Sequence, residues 1–246
     1  MSGHSKWKNI MHKKEKTDSQ RAKIFTKIGR EITMAVKEGG PDPASNSKLK
    51  DIIAKAKSNN VPNDNIDRVI KKAAGAGDSN NYEEITYEGY GPMGVAVVVE
   101  TLTDNRNRTA GDLRHYFDKC GGNLGQSGSV SWQFARKGII VINAEGKDEE
   151  KLMDDAITAG AVDYNFEEGI FEIFTDTTEL RAVKTSLEEM GYIFESAEEE
   201  MIPSNYVSIS GEETIKKMNL LLSLLEDNDD VQNVWHNVEN DDVLDF

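Results

Sequence analysis

The sequence predicts an α+β fold of three domains. An N-terminal basic three-helix domain comes first, then two α/β domains, the last ferredoxin-like (βαββαβ) and inserted in the second. Three observations predict it. The apolar spacing is helical up to residue 75, and β-branched residues dominate beyond residue 81. Residues 138–200 run strand, helix, strand, strand, helix, strand, the order of a ferredoxin-like unit. Charge divides at the same place. Residues 1–75 hold 17 Lys/Arg against 8 Asp/Glu, a net of +9, and the remaining 12 Lys/Arg face 36 Asp/Glu, a net of −24. The whole-chain charge of −15 therefore hides a basic head on an acidic body.

Residues 1–16 are basic and polar without apolar periodicity, and read as an arm. A helix starts near Asp18, its inner face marked by Ile24, Phe25, Ile28, Ile32, Ala35 and Val36. Lys23, Lys27, Arg30 and Lys37 fall within about 80° of one another on the opposite side. Gly39-Gly40-Pro41 stops it. A second helix follows Asn46/Ser47, with Leu49, Ile52, Ile53 and Ala56 inward. The third begins near Asn63, with Ile66, Val69, Ile70 and Ala73 inward and Arg68, Lys71 and Lys72 outward. Gly75–Asn81 is a linker by composition.

Strands are expected over 84–88, 94–102 and 130–134, with a helix over 108–120 and an irregular glycine-rich loop over 121–128. The ferredoxin-like order then takes strands over 138–143, 163–167, 170–175 and 193–197, and helices over 147–159 and 178–190. Beyond it, a strand over 206–210, a helix over 212–225 and a strand over 231–238 complete the unit begun at Glu84. The domains are thus 1–78, a discontinuous 79–136 with 203–246, and an inserted 137–202.

Composition narrows the function classes. No apolar run reaches membrane-spanning length, the N-terminus has no signal-peptide core, and Cys120 is alone. A cytoplasmic protein is expected, without membrane association. Gly89-Tyr-Gly-Pro-Met-Gly94 fits G-x-G-x-x-G in letters, but a β-branched run rather than a helix follows, so no dinucleotide is expected. His4, His12 and His115 have no metal-ligand spacing, and Asp227-Asn-Asp-Asp230 lacks the later residues of a calcium loop, reading as an acidic solvated turn. Cys120 beside His115 reads as packing. No carboxylate is marked as an acid or base. Neither catalytic residue, metal, cofactor nor small-molecule substrate is expected.

Nucleic acid is the expected partner. Lys6, Lys8, Lys13, Lys14 and Lys16 surround Trp7 in the arm, joining phosphate-seeking charge to a stacking ring, although the indole can equally anchor the arm. The helical stripe of Lys23, Lys27, Arg30 and Lys37 and the Arg68, Lys71, Lys72 face add further phosphate contacts. Asn105, Arg106 and Arg108 form a second candidate, able to bond phosphate or base edges; a turn and helix cap is the competing reading.

Several motifs occur together. Gly3-His-Ser-Lys-Trp7, Lys23-Ile-Phe-Thr-Lys27, Asp64-Asn-Ile-Asp-Arg68, Tyr87-Glu-Gly-Tyr-Gly-Pro92, Leu102-Thr-Asp-Asn-Arg-Asn-Arg-Thr109, Gly121-Gly-Asn-Leu-Gly125 and Asp230-Val-Gln-Asn-Val234 resemble the YebC/PmpR family along the whole chain. The resemblance implies a helical domain followed by two α/β domains and no enzymatic activity. It implies a regulator of gene expression, in one of two forms. One is a translation factor that engages ribosomal RNA and relieves stalling on proline-rich stretches; the other is a DNA-binding transcriptional regulator, the family's usual label. The acidic body would repel a long duplex, which favours RNA. A monomer is expected, since nothing resembles a strong dimerisation helix. Met93 and Gly29 depart from the family's pattern, and the glycine predicts a locally weak first helix.

Overall fold

The structure, a computed structural model, describes residues 18–75, 81–167 and 169–245. They form seven α-helices and two four-stranded antiparallel sheets, an α+β architecture. The chain divides into two compact units, one made of 18–130, Ile209–His236 and 243–245, the other of Ser131–Ser208 and Asn237–Asp242.

The first unit opens with helices α1 (Asp18–Gly39), α2 (Ser47–Ser58) and α3 (Asn63–Ala74). Their apolar stripes meet as the spacing requires. Ile28, Ile32, Ala35 and Val36 of α1 are buried with Leu49, Ile52 and Ala56 of α2 and Ile66 and Ala73 of α3. One side chain fixes the α1–α2 corner. Asn46 accepts from the Leu49 amide as the cap of α2, while its own amide group donates to the carbonyls of Ala35 and Gly40 at 2.7 and 2.8 Å. Gly29 does not interrupt α1, which runs unbroken for 22 residues. A Cβ there would sit 4.0 Å from a Val69 methyl, so the glycine faces α3 at ordinary packing distance.

The sheet of this unit runs β3-β1-β2-β8, formed by β1 (Glu83–Tyr90), β2 (Ala96–Thr103), β3 (Asn123–Leu124) and β8 (Val231–His236). Val95 to Val99 are wholly buried, as a central strand demands. Helices α4 (Arg106–Lys119) and α7 (Glu212–Asp227) bury Leu113 and Phe117, and Met218, Leu221, Leu222 and Leu225 respectively. The β1–β2 turn is Pro92–Gly94, with Met93 in the left-handed region at φ 57°. It leads from one antiparallel strand to the next through a single 3-10 turn, so the glycines preceding β2 open no α-helix. Gly122 presses against the backbone of Tyr90 and Gly91, leaving no room for a Cβ. Buried Glu88 holds the same loop, its two carboxylate oxygens accepting from the Gly128 and Val130 amides at 2.8 Å.

The second unit contains β4 (Phe134–Asn143), α5 (Glu149–Ala159), β5 (Asp163–Glu167), β6 (Ile170–Thr175), α6 (Leu180–Glu189) and β7 (Ser196–Pro203). The sheet order β5-β6-β4-β7, antiparallel throughout, is the ferredoxin-like arrangement. Ile140, Ile142, Phe171 and Ile173 pack with Leu152 and Ala156 of α5 and Val183 and Leu187 of α6.

Three expected strands differ. The run 130–134 is largely a short 3-10 turn at Ser131–Gln133, and β4 starts at Phe134. The strand expected over 193–197 lies later, at Ser196–Pro203, because β4 offers pairing partners as far back as Phe134. Residues 206–210 contribute only an isolated bridge from Val207 to Val238.

Candidate nucleic-acid interface

The polar side of α1 meets the C-terminal end of α7 and the turn into β8. A helix end leaves carbonyls without partners and carries partial negative charge, so cations settle there. Lys27 donates to the Glu226 carbonyl at 2.8 Å and Lys23 to the Asp227 carboxylate at 2.5 Å. One turn further along α1, Arg30 donates to the Leu102 carbonyl at 3.0 Å and to Asp230, its guanidinium stacking over the Tyr82 ring at 5.4 Å. Lys23, Lys27 and Arg30 of the predicted stripe therefore hold acceptors of this chain. Lys37 lies on the exposed surface of α1.

Asp230 gathers the second motif as well. Asn228 shapes the turn by accepting from the Asp230 amide at 2.8 Å. The buried Asp230 carboxylate then accepts from Arg108 at 2.8 and 3.0 Å and from the Thr109 hydroxyl at 2.7 Å. Arg108 also reaches Asp104 at 2.8 Å. Asn105 caps α4 by accepting from the Arg108 amide at 3.1 Å. Asn105 and Arg108 thus have structural work in the turn, whereas the Arg106 side chain is exposed. Two motifs far apart in sequence converge on one carboxylate.

Around them opens a cleft of about 380 Å³ lined by Arg30, Arg108, Asn228 and the carboxylates of Asp104, Asp112, Asp227, Asp229 and Asp230. With five carboxylates against two guanidiniums it repels a phosphate. Burial pushes the Asp230 carboxyl up, but the hydrogen bonds from Arg30, Arg108 and Thr109, with the charge of Arg30, outweigh it and leave it below the usual carboxylate range. Hydrogen bonds to Asp230 and Asp104 correspondingly hold the Arg108 proton more firmly. The reading of 227–230 as a solvated turn is corrected at Asp230, which is 3% exposed. Its arginine partners lie 200 and 122 residues away, where sequence spacing gives no signal.

Arg68, Lys71 and Lys72 stand exposed on the outer face of α3. Sequence reasoning missed Lys50 and Lys57, exposed and seven residues apart along one side of α2; the same helical wheel would have found them. Lys6, Trp7, Lys8, Lys13 and Lys14 lie outside the described residues. Among the described residues no cluster of three or more His, Cys, Asp or Glu side chains is arranged to hold a metal. No described helix is long and apolar enough to cross a membrane. Burial pushes the Cys120 thiol up despite nearby Lys119 and Lys217, so it stays protonated and packs.

Residues 5–76 match the TACO1/YebC protein N-terminal domain, and residues 82–238 match the TACO1/YebC second and third domain. The chain belongs to the TACO1/YebC family. A YebC-family relative in Caldicellulosiruptor bescii is 57% identical over 243 residues, covering 98% of this chain and all of that protein. Another, in Acetivibrio thermocellus, is 58% identical and covers 96% of this chain and 98% of its own length. Both are named probable transcriptional regulatory protein. The crystal structure of a conserved hypothetical protein from Aquifex aeolicus is 47% identical, with a TM-score of 0.81 over 91% of this chain and 92% of that one.

Proposed function

We propose that this YebC-family chain is a non-enzymatic, nucleic-acid-binding regulator of gene expression, cytoplasmic and monomeric. The observation that carries the reading is charge segregation: a +9 module on a −24 body, with Arg68, Lys71 and Lys72 exposed along one helix. Segment 1–78 supplies the contact, through the arm, α3, Lys37 and the remaining cations of α1, with Arg106 as an outlying donor. The segments 79–136 with 203–246, and the inserted 137–202, serve as its scaffold.

The names of the relatives support a transcriptional regulator, and duplex DNA is the ligand of that reading. The charge distribution favours a second reading, a translation factor that engages ribosomal RNA and relieves stalling on proline-rich stretches. A body of net −24 repels a duplex lying along it, whereas one basic module suits insertion into a folded RNA. In-cell cross-linking with sequencing of the recovered nucleic acid tests both, with Arg68→Gln/Lys71→Gln/Lys72→Gln as control. Recovery of discrete promoter DNA, lost in the variant, supports transcription; recovery of a discrete ribosomal RNA site supports translation. Equal recovery from wild type and variant, with no discrete site, removes the nucleic-acid reading.

A further inference from the structure

The contact between α1 and the α7–β8 turn has a graded strength. At its inner end Arg30 and Asp230 are nearly buried, with side chains 15% and 4% exposed, and their hydrogen bonds are shielded from solvent. At its outer end Lys23 and Asp227 are 34% and 58% exposed, in the class of surface ion pairs that contribute little to stability. Lys27 is held by a main-chain carbonyl at the negative end of α7. Lys23 and Lys27 lie one turn apart on α1, so their ammonium groups can follow successive phosphates of a strand. They meet a carboxylate and a helix-terminal carbonyl, oxygen acceptors of full and partial negative charge whose place a phosphodiester oxygen can take.

We propose that Lys23 and Lys27 form a latent phosphate-binding site, closed by the chain's own acidic turn and opened when a nucleic-acid backbone replaces Asp227 and the Glu226 carbonyl. The inference rests on the nucleic-acid reading above and deepens it. Arg30 and Asp230 stay paired throughout and act as the hinge that keeps α1 on the sheet. Asp229, exposed beside the site, adds repulsion against the incoming phosphate and sharpens the exchange. A backbone held at the same time by basic residues elsewhere on the chain displaces the exposed Lys23–Asp227 pair at small cost, since one ion pair is exchanged for another. The acidic turn thereby discriminates against brief, non-specific contacts, which lack the second anchor.

Equilibrium binding of a fluorescein-labelled 20-nucleotide RNA to the full chain tests this, with duplex DNA as a parallel probe. Asp227→Asn/Asp229→Asn removes the competing charge without touching Asp230, and circular dichroism confirms that the fold is kept. The expected result is an affinity increase of about three- to tenfold and a steeper dependence of log K on log salt, by about 0.7 per added phosphate contact on a single strand. In the background Lys23→Gln/Lys27→Gln the gain should vanish, the signature of coupled sites. A gain that persists there reports long-range repulsion alone and overturns the latent site. Unchanged affinity in Asp227→Asn/Asp229→Asn overturns it as well; if Arg68→Gln/Lys71→Gln/Lys72→Gln still weakens binding, the nucleic-acid reading survives that failure. No measurable binding by the unaltered chain to either probe sinks both. The probe that shows the gain identifies the source of the phosphate.

Discussion

Asp230 shows how one side chain can decide the setting of an entire helix. Its carboxylate is buried, so its stability depends on the two guanidiniums and the threonine hydroxyl that surround it. Replacing Asp230 by Ala leaves Arg30 beside an empty acceptor position and should cost about 3 kcal/mol at pH 7, the low end for a broken buried pair because Arg108 is half-exposed. Chemical denaturation measures it directly. The pH dependence has a definite sign. The folded carboxyl titrates below its unfolded value, so its contribution is complete above about pH 4 and is lost as pH falls through the folded pKa. The gap between wild type and Asp230→Ala should therefore narrow in acid, and a gap constant from pH 7 to pH 2 would refute this account.

Helix α1 and its corner with α2 show which parts of an element are legible in sequence. The inner face was legible because burial imposes a 3.6-residue period, and Ile28, Ile32, Ala35 and Val36 are indeed buried. The stop at Gly39-Gly40-Pro41 was legible because those residues cannot continue a helix. The partner of the polar face was not legible. A lysine stripe has the same pattern whether it faces water, RNA or a helix C-terminus. Asn46 lies between these cases: its cap role is written in the sequence, but its donation to Ala35 and Gly40 depends on how the corner closes. Asn46→Ala should therefore cost more than an ordinary cap, about 2–3 kcal/mol, since the cap is lost and a buried and a half-buried carbonyl lose their donor together. Asn46→Asp, which keeps the cap oxygen but not the amide donors, should recover only part of it in thermal melts.

At the scale of the whole molecule, charge segregation and family membership were carried by the sequence. A chain of net −15 with an even surface should pass through heparin at pH 7.5, and this one should bind and elute with salt, because local rather than net charge governs contact with a polyanion. Flow-through at low salt would count against any exposed basic face. The α+β class and the ferredoxin-like order were determined by the sequence alone, since periodicity and β-branching act through neighbours a few residues apart. Strand limits near 130–134 and 206–210 were not, because a strand ends where its pairing partner ends. Only the tertiary structure decided which basic residues remain exposed and which are already engaged. Lys23, Lys27, Arg30 and Arg108 are held by acceptors from distant parts of the chain, while Arg68, Lys71 and Lys72 stay on the surface. The physical reason is that ion pairing acts through space over a few ångströms, and the distances that settle it are set by packing, not by position along the chain.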